Sequence, residues 1–179
     1  LKVVEGHTTV LFDSTHGIPS SDITALCIDQ EGRLFFGTEQ DGAGYYRDGK
    51  IHLFSEKDGL PNNSIKCIFQ DSAQSIWITT QRGVVRWNND RLEHPFAEES
   101  PLKNGIVYFG MDDHHGNVWF GTEYGVYQWR DSILQHFGAQ DGLIGDVVMR
   151  GLVDAKDNLW FGAHGGVSQL DKGSQKNIL

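Results

Sequence analysis

The chain repeats itself four times, at steps of 42, 42 and 41 residues. Phe35, Trp77, Trp119 and Trp160 fall on the step, each six residues after an aspartate: Asp29, Asp71, Asp113 and Asp154. Phe12, Phe54, Phe96 and Phe137 keep the same interval, as do Ile18, Leu60, Leu102 and Leu143. Four columns in one register predict an all-β chain of repeated units. A period of this length with several short strands per unit is the pattern of a β-propeller, because one four-stranded sheet cannot bury both of its faces alone.

Unit two shows the expected anatomy most plainly. Lys66 to Asp71, Ile76 to Thr80, Gly83 to Trp87 and Arg91 to Phe96 are short runs bounded by turn formers, hence four antiparallel strands, a to d. Between strands a and b, Asp29-Gln30-Glu31-Gly32 and Asp113-His114-His115-Gly116 read as tight turns in which Asp bonds its own backbone and Gly takes a positive φ. Gln74 and Asp157 stand where that glycine is expected, which predicts slight strain. In strand b an aromatic precedes a small residue (Phe36-Gly37, Phe120-Gly121, Phe161-Gly162), so that a neighbouring sheet can come close while the ring fills the wedge between blades. The units are expected at about 16–57, 58–99, 100–140 and 141–179, with a partial blade at 1–14 in which Val3-Val4 and Thr8 to Phe12 are the last strands of a preceding unit. A start inside a repeat suggests a chain excised from a longer one.

The motif Gly59-Leu60-Pro61-Asn62-Asn63-Ser64-Ile65, followed by Asp71, Trp77-Ile78, Thr80 and Gly83-Val84, resembles the two-component regulator propeller repeat. His16-Gly17-Ile18-Pro19 with Asp29, Gly32, Gly37-Thr38 and Gly44 does so too, while units three and four are looser. The resemblance implies the extracytoplasmic sensor region of bacterial histidine kinases, hybrid regulators or diguanylate cyclases, located in the periplasm or cell envelope, with glycans among the ligands. It carries no catalytic residue, and this chain has no kinase, receiver or cyclase motif. No enzyme activity and no cofactor are expected of it.

A net charge of −9 argues against nucleic acid, which would need a basic stripe, and against anionic lipid. No apolar run is long enough for a membrane helix. Cys27 and Cys67 project to the same side of successive sheets, an arrangement poor for a disulfide. Open blade edges and uncovered apolar faces are costly in water, so homodimerisation is one expected outcome; a closed four-bladed ring, with Thr8 to Phe12 pairing with unit four, is another.

In a propeller the d-to-a and b-to-c loops share one end, around the channel mouth. Glu39, Gln81, Glu123 and His164 follow strand b there, and Lys66, Tyr108 and Arg150 lie near the start of strand a, with Arg82 and Tyr124 in the b-to-c loops. Divergence at these positions against a regular scaffold points to a binding face. The candidate ligand-binding residues are Lys66, Arg82, Tyr108, Glu123, Tyr124, Arg150 and His164, for a carbohydrate or another small polar ligand. Arg150 occupies the column of Ala25, Cys67 and Phe109, where a guanidinium must reach the channel or pair with a carboxylate. Two other readings stay open: a propeller lyase using His164 and Glu123, and a protein-interaction scaffold. The Asp112-Asp113-His114-His115 cluster is read as turn chemistry and not as a metal site, since adjacent histidines alternate sides of a strand.

Overall fold

Each repeat becomes one blade. The structure, a computed structural model, describes residues 2–4, 7–9, 13–19, 22–171 and 174–178. The first sheet comprises β3 (Ile23–Ile28), β4 (Leu34–Thr38), β5 (Ala43–Arg47) and β6 (Lys50–Phe54), and the second β7 (Ile65–Gln70), β8 (Ile76–Thr80), β9 (Gly83–Asn88) and β10 (Arg91–Glu93). The third holds β11 (Val107–Asp112), β12 (Val118–Thr122), β13 (Gly125–Arg130) and β14 (Ile133–Phe137). The fourth holds β15 (Val148–Val153), β16 (Leu159–Ala163), β17 (Gly166–Asp171) and β18 (Ser174–Ile178). All four are antiparallel meanders, and the innermost strands pack in succession, β3 on β7, β7 on β11 and β11 on β15.

Ahead of them β1 (Lys2–Val4) and β2 (His7–Thr9) pair as a two-stranded sheet of their own. The fourth sheet takes β18, not β2, as its outer strand. Residues 10–12 of the expected closing strand lie outside the described residues.

Among the described residues three apolar cores form, one per blade junction. Phe35, Ala43 and Tyr45 of the first blade meet Ile68, Ile76, Ile78, Val85 and Trp87 of the second. Trp77, Val84 and Phe96 meet Phe120 and Tyr127, and Phe109, Trp119 and Val126 meet Val148, Leu159 and Phe161. The expected close approach at the strand b glycines is present: a methyl group on Gly37 would collide with Ile65 of the next blade, and one on Gly121 with Phe109 and with the Val148 carbonyl.

The aspartate column ties each blade together. Asp71 accepts the Trp77 indole N–H at 2.7 Å and the Ser75 backbone N–H at 2.8 Å, so one carboxylate closes the a–b turn and anchors strand b. Asp113 and Asp154 hold Trp119 and Trp160 in the same way, at 3.1 and 2.9 Å. Phe35 has no N–H to give, and there Arg33 donates its Nε–H to Asp29 instead. The turns at Gln74 and Asp157 adopt φ of 67° and 61°, the left-handed conformation that Gly32 and Gly116 take at 78° and 86°.

Candidate functional site

A buried threonine fixes each b–c turn at the end of the blade where the d–a connections also lie. Thr80 donates its hydroxyl to the Gly83 carbonyl at 2.9 Å and accepts the Arg82 N–H; Thr122 does the same with Gly125 and Tyr124, and Thr38 with Gly42 and Asp41. The residue after the threonine is tied to the inner strand. The backbone N–H groups of Glu39 and Gln81 bond to Asp22 and Ser64 at the entrance to strand a, and that of His164 to Val147. The next residue leans outward: the Tyr124 carbonyl is bonded by the ring of His136, on the outermost strand. Unit four has Ala163 in the threonine column, so its turn lacks this brace.

The sequence candidates therefore share one end of the blades but divide into an inner row and outer grooves. In the inner row Lys66 of the second blade pairs with Glu39 of the first at 3.5 Å, and Glu39 also accepts from the Ser64 hydroxyl at 3.3 Å. Tyr108 stands near Glu123; burial first, and that carboxylate second, push its phenol pKa up. Arg150 donates from its guanidinium to the Met149 carbonyl at 2.7 Å and has no carboxylate partner among the described residues; its Cβ lies 3.8 Å from where a methyl group on Gly162 would stand, on the open side of the fourth blade. Burial raises the pKa of the Cys67 thiol, which donates to the Gly110 carbonyl, while the charge of Arg150 opposes that rise. Cys67 and Cys27 are free thiols. His164 is exposed on the fourth blade, and among the described residues no hydrogen bond or ion pair joins it to Glu123.

Arg82 and Tyr124 stand outside this row. Arg82 lines a groove of about 390 Å³ between blades two and three, with Pro61, His94, Lys103 and Asn104. Tyr124 lines the equivalent groove between blades three and four, about 360 Å³, with His136, Ala139 and Asp146. The first groove owes its shape to a local departure from the repeat. Units one, two and four enter strand a through a 3-10 turn ended by a left-handed glycine: Gly17, Gly59 and Gly142. Unit three replaces it with a four-residue helix, α1 (Pro101–Asn104), capped by Ser100 through the Leu102 N–H. The missing leading glycine, replaced by Pro101, was visible in the sequence. The resulting placement of Lys103 and Asn104 was not; the recurrence of His94 as His136 lay on the repeat step, 42 residues apart, but nothing in it pointed to a groove.

The acidic and histidine cluster serves the turns. Asp112 accepts from the Ser72 N–H and hydroxyl and from the His114 N–H; the His115 ring turns instead to Asp157 of the next blade, at 3.4 Å. Among the described residues no group of three His, Cys, Asp or Glu side chains is placed to hold a metal ion. No helix among them is long and apolar enough to cross a membrane.

Residues 17–40 and 59–82 match the family model described as two component regulator propeller. Among solved structures, the chain is similar to the extracellular domain of BT4673 of B. thetaiotaomicron, described as a one component system, with TM-score 0.79 and 18% identity over 96% of this chain and 27% of that one. BT3049 of the same organism, described as a hybrid two component system, gives TM-score 0.66 and 14% identity over 94% of this chain and 31% of its own. A virginiamycin B lyase from Staphylococcus aureus gives TM-score 0.69 and 15% identity over 90% of this chain and 57% of the lyase. This chain spans about a quarter to a third of the extracellular domains it resembles. Among curated proteins none matches it.

Proposed function

From a repeat chain whose residues 17–40 and 59–82 match the two component regulator propeller family, we propose a non-catalytic sensor module that belongs to the extracytoplasmic part of a bacterial signalling receptor and binds a small polar ligand, a carbohydrate first among the classes to test. One observation carries the reading. The blade interiors repeat the same Asp, aromatic and Gly columns, while at one end the side chains in front of the inner strands change from blade to blade: Lys66 with Glu39, Tyr108 with Glu123, Arg150, and His164. A regular scaffold presenting an irregular polar row is what selection for binding leaves behind. The periplasmic location, and the coupling of ligand occupancy to a transmembrane relay, belong to the same proposal.

Equilibrium binding of the chain to a panel of soluble oligosaccharides, with the ligand recovered and weighed by mass spectrometry, tests it. Saturable binding that weakens in Tyr108→Ala and Arg150→Ala, with the ligand returned unchanged, is the expected result. Failure of the whole panel, together with stable capture of one identified protein partner, would replace the sensor reading by that of an interaction scaffold.

A second reading has one specific support, the likeness of the fold to a lyase. His164 and Glu123 occupy b–c turns on the same end and would be its acid–base pair. Turnover of lactone or uronate substrates that disappears in His164→Ala would establish it.

A further inference from the structure

The groove between the second and third blades differs in charge from the rest of this acidic chain. Arg82, Lys103 and His94 line it together with Pro61 and Asn104, and no carboxylate does. We propose that this groove is a binding site for an oxyanion, a carboxylate or sulfate group carried by a small ligand; the inference rests on the sensor reading and adds a second subsite beside the inner row, at the same end of the blades.

The elements that build it explain why it holds its shape. Arg82 sits on a turn pinned by Thr80, and its guanidinium has no partner among the described residues. Against that turn rests α1: the Gly83 N–H bonds to the Gly105 carbonyl at 2.6 Å, and a side chain at Gly83 would collide with the Lys103 carbonyl. The ring of His94 closes the other side, its Nε2 beside Gly59. Glu98 meets the Lys103 ammonium at 3.5 Å from an exposed position, and its charge also acts on His94, but it does not line the groove. Asn104 bonds the Glu98 carbonyl at 3.1 Å and so fixes the end of α1. At about 390 Å³ the groove is within the size range of small-ligand sites.

The comparison one blade onward sharpens the assignment. Arg82 is replaced there by Tyr124, and Asp146 brings a carboxylate to the wall, while the histidine column is kept. The same architecture thus occurs once with a cationic lining and once without. A guanidinium fork beside an ammonium is the arrangement that recognises a planar or tetrahedral oxyanion. Partial burial first, and the Lys103 charge second, hold the His94 imidazole below its ordinary pKa. An anion seated in the groove would reverse the second of these and raise it.

Calorimetric titration of the intact chain with D-glucuronate, inorganic sulfate and D-glucose, at low and at high sodium chloride, tests the proposal, with the His94 ring followed by NMR. Glucuronate or sulfate should bind, D-glucose should not compete, salt should weaken binding, and the His94 titration should move to higher pH. Arg82→Ala and Lys103→Gln should each weaken binding about tenfold or more, a loss of about 1.4 kcal/mol. The urea midpoint of Arg82→Ala should stay unchanged, because that side chain is exposed, and that of Lys103→Gln should change little, because glutamine keeps most of the half-buried stem. Sulfate and glucuronate binding alike would assign the bare oxyanion, and glucuronate alone would assign an acidic sugar. Anion binding untouched by both substitutions, or no anion binding at all, would overturn the inference. A neutral oligosaccharide that still binds in Arg82→Ala would leave the sensor reading standing without it.

Discussion

At the scale of single residues, the aspartate at the a–b turn is the part of the repeat that tolerates least. Its carboxylate answers turn N–H groups and, in three units, an indole N–H across the hairpin. Asp71→Ala should cost about 3 kcal/mol, as hydrogen bonds to a charged group are lost and buried donors are left unpaired, whereas Trp77→Phe should cost about 1–2 kcal/mol. The first unit predicts the opposite weighting. Phe35 is native there, and Arg33→Leu leaves the fully buried Asp29 side chain without its guanidinium, a loss of about 3 kcal/mol or more. Urea denaturation of the four proteins measures this order. Acid should act through the same column. Burial alone would raise the pKa of Asp113, but bonds from Asn117, Trp119 and His115 outweigh it and lower it; Asp154 is lowered by Trp160 and Asn158. Carboxyls with a lowered folded pKa contribute fully above the ordinary aspartate value of about 3.9 and lose that contribution as pH falls through the folded value. The urea midpoint should therefore fall below about pH 4, and Asp113→Asn should flatten the fall. The spacing of Asp and Trp was plain in the sequence, but the bond between them was not, because a six-residue interval says nothing about which way a side chain turns until the hairpin is closed.

At the scale of the strand, the glycines report which blade has a neighbour. Gly37 and Gly121 face side chains or backbone that a methyl group would strike, whereas a methyl group on Gly162 would meet nothing closer than Arg150 at 3.8 Å. Gly37→Ala and Gly121→Ala should each destabilise by about 1–3 kcal/mol through overpacking, and Gly162→Ala should be nearly neutral. Equal effects at all three, in thermal melts, would contradict the open fourth face. Strand positions, turn residues and the small-residue column could all be read from the repeat, since period-two patterning and φ > 0 turns are local properties. The helix α1 could not. It replaces a turn at one unit only, and a single departure from a repeat carries no pattern to read. The oxyanion groove depends on that helix, which is why Arg82 was recognisable as a loop residue of interest while Lys103 and Asn104 were not; His94 stood on the repeat step with His52 and His136, a column that reads as scaffold.

At the scale of the whole molecule, the blades form a series whose two ends present the same columns that its interior buries. Ile23 is 44% exposed, although its counterparts Ile65, Val107 and Val148 are fully buried. Val167 is 42% exposed where Val84 and Val126 are buried, and Leu26, Ile28 and Leu152 are more exposed still. The first face of the series and the last are the two halves of a blade junction made three times within it. We propose that a second copy of this chain covers them, the Leu152 and Val167 face of one against the Leu26 and Ile28 face of the other, as apolar area of this kind favours association. The central claim, that every blade junction uses the same interchangeable columns, is tested most directly by the mass in solution, measured by light scattering across a concentration series. The account predicts a mass that rises with concentration above the single-chain value, and a return to that value in Leu26→Glu and in Leu152→Glu with the fold intact. A single-chain mass at every concentration, or an association that both substitutions leave unchanged, would contradict it.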